Sequence, residues 1–350
     1  MDRAMRRLRI LVLMHPDFVP PDSTDGYTAR QINEWKTEYD VVSTLRAAGH
    51  EVRPLGVQEE IKPVRDEIEG FKPHVVFTLL EQFYHEPVPV YDQHIASYLE
   101  LMQIPYTGCN PRGLILARGK DLSKTLVHYR RVAVPAFAVF PMRRKVKRPA
   151  RLALPLIVKS LNEDGSWGIS QASVVDTDEK LAERVAFIHE QIGTAAIAEQ
   201  YIEGRELYVG VLGNNRLRVL PVWELQFGTM GGEGARQIAT EKVKHDTGYQ
   251  ERVGIVDGPA KNLTPEVSAR IQAIAKRIYR TLGLDGYARI DFRLSADGTP
   301  YFIEANPNPE IAKSQEFATA ARHDGLEYPD LLHRILNLGI SRAKAGVSAG

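Results

Sequence analysis

Apolar positions recur at two spacings along this chain, and the places where the spacing changes mark out its elements. Short apolar runs over residues 8–14, 51–55 and 74–79 read as strands. Between and after them, helical spacing over residues 33–48, closed by Gly49, and over 92–101 predicts two helices. Strands alternating with helices imply a parallel, doubly wound layer. Further strands are expected over residues 156–160, 197–202 and 207–212, with a helix over 179–192 between the first two. A helix over 265–282 ends at Gly283. A hairpin follows over 287–309, then a last helix over 328–338, and the small polar tail from Ser341 is expected to fray. Between them, residues 228–259 open on GTMGGEG and carry little periodicity, as a functional loop or lid does.

Length and composition narrow the picture. A chain of 350 residues, 43% hydrophobic and 25% charged, suits two or three globular lobes. The formal net charge of +1 argues against nucleic acid or an anionic membrane as partner, and the basic run 143–148 reads as a solvated loop. Cys109 is the only cysteine, which excludes an intrachain disulfide and a cysteine zinc site. A buried structural thiol in a reducing cytoplasm is the expected state. The apolar run 10–14 is too short for the core of a signal peptide, and no later segment is long enough for a bilayer span. No GxGxxG follows the first strand, against a dinucleotide-binding dehydrogenase.

The hairpin YARIDFRLSADGTPYFIEANPNP carries the densest chemistry. Asp297-Gly298 marks a tight turn. On the first strand Arg289, Asp291 and Arg293 share a face, and on the second Glu304 and Asn306 do. A two- or four-residue loop centred on the Ala296–Asp297 bond pairs odd positions with even ones, so both sets meet on one face. Two adjacent carboxylates repel unless a cation lies between them. Asp, Glu and Asn oxygens suit Mg²⁺ and nucleotide phosphates, and the arginine suits a phosphoryl group or oxyanion. An exposed hairpin with an Arg289–Glu304 cross-strand pair accounts for the same residues.

Two upstream signals add to this. The apolar strand Leu156-Ile157-Val158 ends in Lys159, which calls for an anionic partner or a solvated exit. It runs into a loop in which Gly165 and Gly168 flank Ser166, so that backbone N–H groups can approach phosphate. Glu199 and Glu206, on either side of a short turn, bracket a slot or form ordinary hairpin charges.

Taken in order, IPYTG (104–108), GKDLSK (119–124), Lys159 with GSWG (165–168), EQYIEGREL (199–207) and RIDF…FIEANPNP resemble the ATP-grasp superfamily, and within it the D-alanine–D-alanine ligases. The resemblance implies an α/β chain of α+β lobes, an ATP-grasp fold behind an N-terminal parallel-sheet domain. Its domains would span 1–112 (N-terminal), 113–203 (central lobe with phosphate loop and adenine hinge) and 204–340 (C-terminal lobe with the metal site), with 341–350 a flexible tail. It implies that Lys120, Lys159, Ser166 and Gly168 hold ATP phosphates, that Glu199, Tyr201 and Ile202 line adenine, and that Glu206 binds ribose. Asp291, Glu304 and Asn306 would hold two Mg²⁺ (or Mn²⁺) ions. Arg289 would act on the transferred phosphoryl group, and Lys244, with Lys242 as its rival, would close over the γ-phosphate.

The implied activity is ligation of a small carboxylate to an amine through an acyl-phosphate, in a cytoplasmic protein, with a homodimer as the assembly the resemblance allows. The alternatives on the same scaffold are a carboxylate kinase and a non-catalytic nucleotide-binding regulator. Where the family carries a glycine-serine-glutamate signature after the first strand, this chain has Met14-His15-Pro16-Asp17-Phe18. Glu34 and Glu38 follow, neither assignable as the amine anchor. Glu310 replaces the family's oxyanion glycine, and Ser314-Gln315 only loosely echoes its serine segment. D-alanine is therefore not the expected substrate.

Overall fold

The structure, a computed structural model, describes residues 7–80, 92–162, 168–228, 236–240, 243 and 247–348. Strand β1 (Arg9–Met14) is fully buried from Ile10 to Met14 because it is flanked in its sheet and covered on both faces. It pairs in parallel with β2 (Glu51–Gly56) and β3 (Val75–Thr78). The helical region expected as one element is two, α1 (Ala29–Glu34) and α2 (Lys36–Ala47). The break falls at Trp35, which is buried against the rings of Tyr27 and Tyr39 and leaves helical geometry at φ −125°. Helices α3 (Lys62–Phe71) and α4 (Asp92–Leu101) complete the layer. Ile10 and Val12 pack toward α2, while Leu11 and Leu13 pack toward Val64, Ile68 and Leu99, so the sheet is wound on both sides.

Asn110 caps α5 (Pro111–Arg118), and α6 (Lys120–Tyr129) begins after Gly119. The inner face of α6 carries Lys120, Ser123, Lys124 and Val127, and Val127 joins the core that holds Phe292 and Phe302. A second, antiparallel sheet follows in the order β4-β7-β5-β6. Its strands are β4 (Phe137–Phe140), β5 (Leu156–Ser160), β6 (Val174–Val175) and β7 (Ala196–Gln200). Leu181 and Val185 of α7 (Asp178–Phe187) cover one face through Leu156, Val158, Ala196 and Ala198. Alternation sends Ile157, Lys159 and Glu199 to the other.

The third sheet runs β11-β10-β8-β12-β13, with β9 added to β8. It comprises β8 (Arg205–Leu212), β9 (Arg218–Val219), β10 (Trp223–Gln226), β11 (Val256–Pro259), β12 (Tyr287–Leu294) and β13 (Pro300–Pro307). Helix α8 (Thr247–Val253) precedes β11, so the described part of region 228–259 is not all connector. Both elements are short, and β11 (VDGP) is an exposed edge strand with no apolar alternation to betray it. Helix α9 (Pro265–Thr281) sets Ile271, Ala275 and Ile278 against Leu207, Val209, Ile290 and Phe292.

After α10 (Glu316–His323), the last helix α11 (Tyr328–Ser348) continues well past residue 338. The tail expected to fray is helical because Arg342 anchors it. Its guanidinium donates to the carbonyls of Tyr106 and Gly108 and to Asp285, and lies 4.0 Å over the Tyr106 ring. No helix among the described residues is long and apolar enough to cross a membrane.

Helix α11 also brings His333 to His50, both buried, with Nε2 atoms 3.0 Å apart. His50 Nδ1 accepts the Leu8 N–H, so its proton is on Nε2 and His333 Nε2 is the acceptor. Burial holds both rings below their ordinary pKa, and His333 adds to the effect at His50. Unfolded histidines protonate near pH 6.5, so the pair's contribution is complete above that range and is lost as pH falls through it. Thermal melts between pH 7.5 and 5.5 are expected to show a steeper acid loss for the wild type than for His333→Phe.

Candidate active site

The second and third sheets turn their alternate faces toward a shared cleft, lined among others by Lys159, Glu199, Tyr201, Glu206, Asp291 and Glu304. Its closed end is the turn from β7 to β8. Gly204 sits there at φ +150°, where a Cβ would come within 2.1 Å of the Leu294 carbonyl oxygen, so only glycine fits. Arg293 donates to the Gly204 carbonyl at 3.1 Å and lies 3.5 Å from Glu206. The same guanidinium reaches the Gln237 carbonyl. Arg293 thus belongs to the cleft, although its sequence signal was only that it shares a face with Asp291.

The hairpin brings the expected carboxylates together by an unexpected route. Its loop runs from Ser295 to Thr299, and beside it even residues face even ones, as in Phe292 opposite Phe302. A β-bulge then leaves Ile303 unmatched and restores the odd-to-even pairing. Beyond it Asp291 faces Glu304 and Arg289 faces Asn306. The register was therefore right at the site, while the loop length assumed for it was not.

Asp291 is buried and fully engaged. Arg289 donates to its two oxygens at 2.8 and 2.9 Å, and Asn306 Nδ2 donates to Oδ2 at 2.9 Å. Arg289 does not pair with Glu304; its second carboxylate is Glu316, at 3.8 Å, and its guanidinium stacks 4.6 Å over Tyr208. Burial would depress this guanidinium, but Asp291 and Glu316 hold its pKa well above the ordinary value. Asp291, Glu304 and Asn306 bring oxygen-bearing side chains to one face, the ligand type that suits Mg²⁺, while in this structure the Asp291 oxygens are taken by Arg289 and by the Asn306 amide.

Three lysines face this cluster. Lys120 Nζ is 4.0 Å from Glu304, and Lys159 Nζ is 3.1 Å from Glu199 Oε1. Lys124 Nζ also meets Glu199 Oε1 at 3.1 Å and donates to the carbonyl of Ile303, the bulge residue. Burial pushes Lys124 down to about 8 against the pull of Glu199. Burial alone would raise Glu199, yet Lys124 and Lys159 hold it below the usual range. Lys124 had no sequence role beyond its pairing with Lys120, and that i, i+4 spacing was the available signal.

Gly168 has φ +69°, and its carbonyl accepts from Arg184. Ser166, Lys242 and Lys244 lie outside the described residues. Ile202 is buried at the hinge, and Tyr201 lies under Arg236 and Arg293. At the other end, residues 308–315 dock on α2. There Thr37 donates to Glu310, Lys36 to Ser314, and the Lys313 N–H to Asp40. Cys109 is buried away from the cleft, and burial keeps its thiol protonated.

The sequence profile described as D-ala D-ala ligase C-terminus matches residues 126–337, more than half of the chain. The D-alanine–D-alanine ligase of Bordetella petrii is 32% identical over 249 residues, covering 70% of this chain and 71% of that protein. That of Desulforudis audaxviator is 30% identical over 324 residues, covering 91% and 97%. Among solved structures, the D-alanine–D-alanine ligase of Bacillus anthracis complexed with ATP superposes with a TM-score of 0.74 at 20% identity, over 97% of this chain and 99% of that one. That likeness shows the fold, and the closer sequence matches show the family: the chain belongs to the D-alanine–D-alanine ligase-like proteins of the ATP-grasp fold.

Proposed function

We propose that this protein is an ATP- and Mg²⁺-dependent ligase that joins a small carboxylate to an amine through an acyl-phosphate, with a substrate pair other than two D-alanines. The observation that carries this reading is the meeting of Lys159 with Asp291 and Glu304 in one cleft, with Lys120 4.0 Å from Glu304 beside it. Such a cleft supplies cations for phosphate oxygens and carboxylates for a metal in a single place.

In this reading Tyr201 and Ile202 flank the adenine. Glu199 Oε2, buried and without a donor among the described residues, accepts from its amino group. Glu206 takes the ribose hydroxyls, and Lys120 and Lys159 hold the phosphates. Mg²⁺ on Asp291, Glu304 and Asn306 would supply charge neutralisation to the phosphates. The substrate carboxylate displaces ADP from the γ-phosphorus, and the amine then displaces phosphate from the acyl carbon and loses a proton. Arg289 holds the oxyanion charge in both steps. Lys244 is proposed as the lysine that covers the γ-phosphate. Glu310 and Ser314, which stand where the resemblance leads one to expect a glycine and a serine segment, support a changed substrate, since they lie just past β13.

Nucleotide binding tests the first half without knowledge of the other substrates. Saturating MgATP is expected to raise the melting temperature, a stabilisation of about 2.7 kcal/mol at a hundredfold excess over Kd. Lys159→Met is expected to abolish the shift.

Turnover tests the second half. Phosphate release with panels of small acids and amines is expected to require one of each and to yield ADP and an amide. Glu304→Gln is expected to lower it by about 10²–10³-fold, the usual effect of removing one charge-stabilising contact. Release with an acid alone would point to a kinase. Tight binding without turnover across the panel would point to a regulator.

A further inference from the structure

Lys124 is the most deeply buried charge near the cleft, with a side chain that is 0% exposed, yet it does not line the cleft. Its ammonium group is held from three sides. Glu199 Oε1 lies on β7 of the second sheet, the Ile303 carbonyl lies on β13 of the third, and the Phe302 ring centroid is 5.6 Å away. A lysine brought this far from water must return more than its desolvation costs. Neither contact is an accident of proximity. The Ile303 carbonyl belongs to the residue that the bulge leaves unmatched, and Glu199 is shared with Lys159, which does line the cleft.

The sharing has a geometric effect. Both ammonium groups lie 3.1 Å from the same oxygen of Glu199, while no ammonium group of the described residues pairs with Oε2, and two cations on one oxygen resist rotation of the carboxylate. With Lys159 alone, the carboxylate is free to turn and offer it both oxygens. The free acceptor would then be lost, and Lys159 would be drawn away from the phosphates. At the other contact, the Ile303 carbonyl fixes the bulge, and the bulge decides that Asp291 and Glu304 face one another.

We infer that Lys124 is a positioning residue that orients Glu199 so that its second oxygen reads a hydrogen-bond donor on the nucleotide base, while pinning the bulge that aligns the metal-binding carboxylates. This rests on the nucleotide reading proposed above and deepens it. In that reading the donor is the adenine amino group, and what Lys124 adds is the orientation of the oxygen that accepts from it. The same carboxylate oxygen would repel a base that presents a carbonyl there.

The test is calorimetric titration of the full-length protein, with Mg²⁺ present, by ATP and by purine riboside triphosphate, which lacks only the 6-amino group. The wild type is expected to prefer ATP by about tenfold or more, the range for a hydrogen bond to a charged group. Lys124→Met is expected to weaken ATP binding by about tenfold to a hundredfold. It should also bring the ratio of the two affinities close to one, an effect that general loosening of the fold does not produce. Glu199→Gln should lose the same preference, and the double variant should bind no worse than Glu199→Gln alone. Lys124→Arg, which keeps the charge but not its single point of donation, serves if the methionine variant does not fold. It is expected to retain ATP binding with a reduced preference.

Independent, additive losses from Lys124→Met and Glu199→Gln would overturn the assignment. So would an unchanged preference in the folded variants, or a wild type that binds both nucleotides equally. A wild type with no affinity for either nucleotide would instead overturn the nucleotide reading itself, and the two failures are thereby distinguished.

Discussion

Glu199 carries a negative charge into a position that is 1% exposed and holds two ammonium groups on one of its oxygens. The rest of the cleft follows from that arrangement. A carboxylate so buried must be paired, and Glu199 is paired twice. Around it Lys120, Lys124, Lys159, Arg289 and Arg293 stand against Glu199, Glu206, Asp291, Glu304 and Glu316. These opposed charges gather where two sheets face one another. Because the paired groups come from α6, β5, β7 and β13, the same charges also set how the sheets meet.

Most of the elements were legible because their apolar positions follow a buried strand or an amphipathic helix. Strands β1 and β8 are apolar runs buried on both faces, while β5 and α9 turn an apolar face to a core and a more polar one away from it. What escaped had no such contrast. Strand β11 is exposed at an edge, and α11 outruns its apolar stripe because a single arginine holds its end. The break at Trp35 depends on ring contacts with Tyr27 and Tyr39 that no local pattern announces.

At the site the contrast is sharper. Parity brought Arg289, Asp291, Glu304 and Asn306 to one face, yet the bulge that secures it falls at the end of the run Tyr301-Phe302-Ile303, where three apolar residues in succession give no alternation to place it. Lys159 was legible because a charge at the end of an apolar strand calls for a partner. Lys124 was not, since on a helix its spacing from Lys120 looks like an ordinary solvated face until β13 is packed against it. The features nearest the ATP-grasp pattern were therefore found by resemblance and by register together. The parts that depart from it, Glu310 and Ser314, now have partners on α2 that lie far away in sequence.

The three hydrophobic cores are unevenly shared. Two of them each combine residues of the first sheet with residues of the third, as with Leu13 and Ile290, or Val12 and Tyr287. The core under α7 draws only on the second sheet and its surroundings. Mechanically the molecule is a frame and a jaw: two sheets welded by common side chains, and a third whose apolar interior is shared with neither. Across the cleft, jaw and frame meet through the Lys124–Glu199 ion pair and the hydrogen bonds of Gln171 with Arg236, and polar contacts can be exchanged with a charged visitor more readily than packed methyl groups can be parted. Nucleotide entry would thus work against the grip of a few polar contacts instead of the cohesion of a core.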